Sequence, residues 1–122
     1  MYQLFVEEHF DAAHYLRNYH GKCEKLHGHR YKVVVRLEAS ELSEVGLAYD
    51  FTQLKSQLRE AIAPFDHACL NDVSPFDQIE PSCENISANI YNQLQPHFFG
   101  SPVTLACVEV WESPTTGVAY YP

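Results

Sequence analysis

Residues 23–39 read CEKLHGHRYKVVVRLEA, and this stretch decides the fold. From His29 onward, His29, Tyr31, Val33, Val35, Leu37 and Ala39 share one side of an extended chain, while Arg30, Lys32, Arg36 and Glu38 occupy the other. Successive side chains on a strand point to opposite faces, so an alternation this long predicts a half-buried β-strand. Only Val34 interrupts the polar side. At its start, His27 and His29 stand two residues apart, and a strand turns both imidazoles to one face, with Gly28 leaving room for them. That arrangement suits chelation of a divalent metal.

Upstream, Tyr2, Leu4, Val6, Glu8, Phe10, Ala12 and His14 fall on even positions, with Gln3, Glu7, His9 and Asp11 between them, a period near two that predicts a first strand ending at His14. His14 is in phase with Phe10 and Ala12 and brings a third imidazole from the neighbouring strand. Three histidines with an open position describe a catalytic zinc site, although other divalent ions suit the same ligands. Cys23 as a fourth ligand would close the coordination sphere and leave a structural site. Left unbound, it is a candidate base or nucleophile whose thiolate is favoured by Lys22, Lys25 and the metal.

Downstream, Asp50 precedes Phe51, Leu54, Leu58, Ala61 and Ile62, which share a helical face that Pro64 ends; Asp50 with Gln53 reads as a capping box. A second helix starts after Pro81, with Ser82 as N-cap, Glu84 favourable in its first turn, and Ile86, Ile90 and Leu94 recurring until Pro96. Val103 to Glu112 reads as a strand, Ser113 to Gly117 as a turn, and Val118 to Tyr121 as a short strand. The order strand, strand, helix, helix, strand, strand predicts an α+β domain: a four-stranded, largely antiparallel sheet with two helices on one face. Its two unpaired edges predict oligomerisation through the sheet.

At 122 residues the chain forms a single domain, residues 1–122, able to bury a core without a structural metal. Its net charge of −8 argues against a nucleic-acid or membrane-surface binder. Six of the eight basic residues, Arg17, Lys22, Lys25, Arg30, Lys32 and Arg36, nevertheless crowd into one segment, either a solvated strand face or a local field for a small anion. The start of the chain lacks the apolar core of a signal peptide, and no run reaches membrane-spanning length, so a cytoplasmic protein with four free thiols is expected. Asp66-His67 follows the first helix as a candidate acid/base pair, a carboxylate orienting an imidazole. Glu112 ends an apolar strand, either as a solvated charge or as a bidentate acceptor for the amidine-like edge of a pterin or guanine. Glu84 is chiefly a helix-start charge that can also face a ligand.

Taken in order, Phe10-Asp11-Ala12-Ala13-His14, the C-x-x-x-H-G-H motif of Cys23 to His29, Asp50-Phe51, Asp66-His67, Pro81-Ser82-Cys83-Glu84-Asn85 and Val110-Trp111-Glu112-Ser113 resemble the 6-pyruvoyl-tetrahydropterin synthase family. The likeness covers essentially the whole chain. It is strongest to the bacterial 6-carboxytetrahydropterin synthases of queuosine and 7-deazapurine biosynthesis. The resemblance implies the tunnelling fold, in which strands join across subunits into a barrel and two trimers stack as a hexamer with interfacial active sites. It further implies zinc on His14, His27 and His29, Cys23 as base, Asp66-His67 as proton relay, and Glu112 as pterin anchor with Ser82 and Glu84 beside it. The implied reaction is a lyase reaction: 7,8-dihydroneopterin triphosphate gives 6-carboxytetrahydropterin, acetaldehyde and triphosphate, with several clustered cations neutralising the triphosphate.

This chain departs from the family's usual pattern in carrying Ser82 where threonine is common, Cys83 where threonine, serine or alanine is common, and Glu24 beside Cys23. In a folate-associated branch a glutamate in this region replaces the cysteine and the product is 6-hydroxymethyl-dihydropterin. Glu24 is therefore read either as an exposed loop charge or as a source of second activity. A 6-pyruvoyl-tetrahydropterin synthase, a non-catalytic pterin-binding module and a purely structural zinc protein are the other readings.

Overall fold

The computed structural model describes residues 1–122. Strands β1 (Tyr2–His14) and β2 (His27–Ala39) pair antiparallel along their whole length, from Tyr2 opposite Ala39 to His14 opposite His27. Helix α1 (Phe51–Ile62) follows, then a two-residue strand β3 (Ala68–Cys69), helix α2 (Cys83–Leu94), and the hairpin of β4 (Thr104–Ser113) and β5 (Thr116–Tyr120). The sheet order is β3-β1-β2-β4-β5. The expected four strands are joined by β3, which runs parallel to β1 against Ala12 and Ala13. Two residues carry no periodicity, so this addition had no sequence signal.

Both helices cover one face of the sheet. Phe10, Tyr31, Val33, Val35 and Leu37 from the strands meet Leu54 and Leu58 of α1 and Ile86, Ile90 and Leu94 of α2 in a single cluster of 25 buried residues. Phe10 and Tyr31 stack at 4.8 Å between ring centroids. Val34, the exception to the alternation, is buried on the opposite face, outside that cluster.

Local chemistry sets the helix starts. Asp50 caps α1 by accepting from the Thr52 N–H at 2.8 Å, and Ser82 caps α2 by accepting from the Asn85 N–H at 3.2 Å. The reciprocal Gln53 bond of a capping box does not form. The β4–β5 turn is tighter than expected, with only Pro114 and Thr115 between the strands. Trp111 pairs with Gly117 and Ser113 with Thr116, leaving Glu112 as the extra residue of a β-bulge.

The segment between β3 and α2 is tied to the end of β1. Asn71 exchanges two hydrogen bonds with the Tyr15 backbone, at 3.0 and 2.9 Å. The Arg17 guanidinium donates to the Asn71, Phe76 and Ile79 carbonyls, and the Arg17 N–H donates to Glu80 at 2.7 Å. These bonds bring Pro81 over His14.

Candidate active site

The register of β1 on β2 builds the centre. His14 lies directly across from His27, and Ala12 opposite His29, so three imidazoles converge at one end of the sheet above the Tyr31 ring. Their ligating atoms all lie within 4.8 Å of one another. His14 Nδ1 donates to the Pro81 carbonyl and His27 Nδ1 to the Lys25 carbonyl, each at 2.8 Å. A carbonyl only accepts, so each Nδ1 carries the proton and each Nε2 presents a lone pair. Those two Nε2 atoms stand 3.1 Å apart, and the buried Nε2 of His29 has no hydrogen-bond partner. Facing lone pairs and an orphaned nitrogen fit a cation between the rings, with backbone carbonyls fixing the tautomers from behind. Burial lowers the His29 pKa, opposed by Glu112 and reinforced by His14 and His27, which favours the neutral, ligating ring.

A cavity of about 370 Å³ opens over the histidines, and Glu24, Ser82, Cys83, Glu84 and Glu112 line it together with His14, His27 and His29. Glu112 reaches it from the bulge, its Oε2 3.7 Å from His29 Nε2. The α2 N-terminus forms the adjoining wall. The first N–H groups of a helix have no intrahelical acceptor, so the Cys83 and Glu84 amides add donors beside the Glu112 acceptor.

Glu24 is not a free loop charge. Its side chain is 30% exposed, its Oε1 accepts from the Leu16 N–H at 3.1 Å, and it stands 4.0 Å from His27 Nδ1. Cys23 is exposed and does not line the cavity. Asp66 and His67 are also exposed and lie elsewhere, beside Asp11. Asp66 Oδ1 accepts from the Asp11 N–H and from His67 Nδ1, each at 3.0 Å, and the His67 N–H donates to the Asp11 carbonyl. The Asp11 N–H hydrogen bond outweighs desolvation and, with His67 adding to it, holds the Asp66 pKa below the usual carboxylate value. The chain thus gathers the three histidines, Glu112, Ser82 and Glu84, and leaves Cys23 and Asp66-His67 outside that cavity.

The basic cluster is likewise divided. Arg17 is held by carbonyls and Glu80, Lys32 lies over the Trp111 ring and near Glu7, and Arg36 pairs with Glu109. Lys22, Lys25 and Arg30 remain exposed. Tyr19, Leu16 and Val118 join the cavity wall without having been singled out in the sequence, and Cys83 had no assigned part. For Cys83 the available signal was its place beside the Ser82 cap.

A family profile described as 6-pyruvoyl tetrahydropterin synthase matches residues 3–122. A Synechocystis protein named 6-carboxy-5,6,7,8-tetrahydropterin synthase is 35% identical over 126 residues, covering 99% of this chain and 94% of the relative. A Bacillus subtilis protein of the same name is 30% identical over 128 residues, covering 99% and 86%. The Caenorhabditis elegans 6-pyruvoyl tetrahydropterin synthase structure shares the fold, with a TM-score of 0.81 at 23% identity over 99% of this chain and 95% of that one. The Plasmodium vivax 6-pyruvoyltetrahydropterin synthase structure gives a TM-score of 0.76 at 25% identity, covering 99% and 97%. Two further structures of that enzyme are catalytic-residue mutants, a glutamate being replaced by alanine in one and by cysteine in the other. With the profile spanning nearly every residue and relatives aligned end to end, the chain belongs to the 6-pyruvoyl tetrahydropterin synthase family.

Proposed function

We propose that the protein is a zinc-dependent 6-carboxy-5,6,7,8-tetrahydropterin synthase, a lyase of the cytoplasm. It converts 7,8-dihydroneopterin triphosphate and water to 6-carboxytetrahydropterin, acetaldehyde and triphosphate, on the route to 7-deazapurines such as queuosine. The observation that carries this reading is the set of three histidine nitrogens converging beside a carboxylate-walled cavity. The relatives of that name, aligned along the whole chain, support it.

His14, His27 and His29 would hold the zinc, which would supply Lewis-acid chemistry at the substrate side chain. Glu112 accepts a pair of parallel N–H bonds from the pterin edge, and the Cys83 and Glu84 amides donate to the neighbouring acceptor, with Ser82 holding that helix start in place. These contacts fix the ring so that its side chain lies over the histidines. Cys23 and the Asp66-His67 pair take and return protons at that side chain once assembly of a homo-oligomer, a hexamer of two trimers, completes the site. The edge of β5, and the length of β1 beyond its two-residue pairing with β3, support such assembly, because an unpaired strand edge is a template for pairing with another chain. Lys22, Lys25 and Arg30 are the cations available to the triphosphate.

A second reading is favoured by Glu24, which lines the cavity where Cys23 does not. Glu24 as the base gives cleavage to 6-hydroxymethyl-dihydropterin, and the catalytic glutamate of the Plasmodium vivax enzyme lends it support. Zinc-loaded protein incubated with 7,8-dihydroneopterin triphosphate, with products identified by mass spectrometry, separates the two. Acetaldehyde with the 6-carboxy product is expected. A 6-hydroxymethyl or 6-pyruvoyl product would transfer the assignment to the corresponding branch, and an unconsumed pterin would leave a binding module.

A further inference from the structure

Cys83 is the first residue of α2, 7% exposed, and a wall of the cavity. Its Sγ lies 3.7 Å from Glu112 Oε2 and donates to it. That carboxylate is otherwise weakly held: it sits on the unpaired residue of the bulge, and its remaining polar neighbour, His29 Nε2, is also at 3.7 Å and is turned to the metal centre. Burial, followed by the charge of Glu112, pushes the Cys83 thiol up to about 12, so the donor keeps its proton through the neutral range.

We infer that Cys83 is a positioning residue, whose thiol proton holds the Glu112 carboxylate facing the cavity and thereby tightens binding of the heterocycle that Glu112 receives. This rests on Glu112 being the pterin anchor. A carboxylate offers about four lone-pair sites, so the thiol occupies one and leaves both oxygens able to take the parallel N–H pair. Each partner alone is ordinary; a protonated thiol inside the cavity wall, aimed at the anchoring carboxylate, is what links them.

The test uses zinc-loaded protein, neopterin as a ligand read by fluorescence titration, and steady-state kinetics with 7,8-dihydroneopterin triphosphate. Cys83→Ala is expected to weaken neopterin binding by about three- to tenfold, the scale of one lost hydrogen bond, and to raise KM more than it lowers kcat. Cys83→Ser, which keeps a donor, restores binding to within about twofold of the parent. In a Glu112→Gln background, Cys83→Ala adds no further loss, because the two residues act through one contact. Parental binding by Cys83→Ala, equal losses for serine and alanine, or full additivity with Glu112→Gln would each overturn the inference and reduce Cys83 to packing. If Glu112→Gln itself binds neopterin like the parent, the anchor reading fails, whatever Cys83 does, and the inference falls with it. A weakened Glu112→Gln beside a silent Cys83→Ala overturns the inference alone.

Discussion

Glu109 shows how one side chain on the sheet face away from the helices carries a pH-dependent share of stability. Its carboxylate is 15% exposed and accepts from the Arg36 guanidinium and from the Trp111 indole N–H, the latter at 3.0 Å. Burial alone would raise its pKa, but those two donors outweigh it and hold the value below 4.5. A carboxylate depressed on folding stabilises the native state above its unfolded pKa and loses that contribution as pH falls through the folded value. Glu109→Gln should therefore cost about 2 kcal/mol at pH 7, the scale of a charge-assisted hydrogen bond, with the difference from the parent shrinking below pH 4.5. Urea unfolding at a series of pH values measures this, and a difference that stays constant into acid would contradict it. The site's residues divide by the range of the interactions that place them. His14, His27 and His29 were legible because strand phase alone turns them to one face. Cys83 was not, because its meaning comes from Glu112, 29 residues away across the fold.

The secondary elements rest on a few replaceable contacts. Asp50→Ala removes the side-chain acceptor for the Thr52 N–H and should lower the unfolding free energy by about 1 kcal/mol without moving zinc content, since α1 contributes nothing to the cavity. Loss of zinc with that substitution would couple α1 to the site unexpectedly. Gly117 is a sharper case: a Cβ there would stand 2.6 Å from Trp111 Cδ2, so the indole lies directly over the β5 backbone. Gly117→Ala should cost about 1–3 kcal/mol through forced displacement of the ring or the hairpin, measurable by urea unfolding. Unchanged stability would mean that Trp111 swings aside freely. The strands β1 and β2 and both helices were readable because each repeats its period over at least 12 residues. The bulge was not, since one extra residue in a tight hairpin leaves no mark on the alternation, and β3 was not, since its two residues pair with β1 more than 50 positions away.

As a whole, the molecule sets its three histidines at the end of the sheet, against the Tyr31 edge of the core. The 25 apolar residues of the core pack helices on sheet without needing an ion, so chelation should abolish activity while leaving the far-ultraviolet circular dichroism of a folded protein. Collapse of that signal on metal removal would make the centre structural. The histidines are also positioned from outside the core, and the Pro81 carbonyl bound to His14 shows where. Pro81 is followed directly by the cap and first turn of α2, so one short run of main chain grips an imidazole at one end and walls the cavity at the other. It works as a gauge block: a few covalently linked residues set the spacing between the carbonyl that holds His14 and the Cys83 and Glu84 amides at the cavity wall. On the proposed reading, a ligand that must span from that wall to the histidines is measured against this length, so pterins differing by one side-chain carbon are expected to bind unequally.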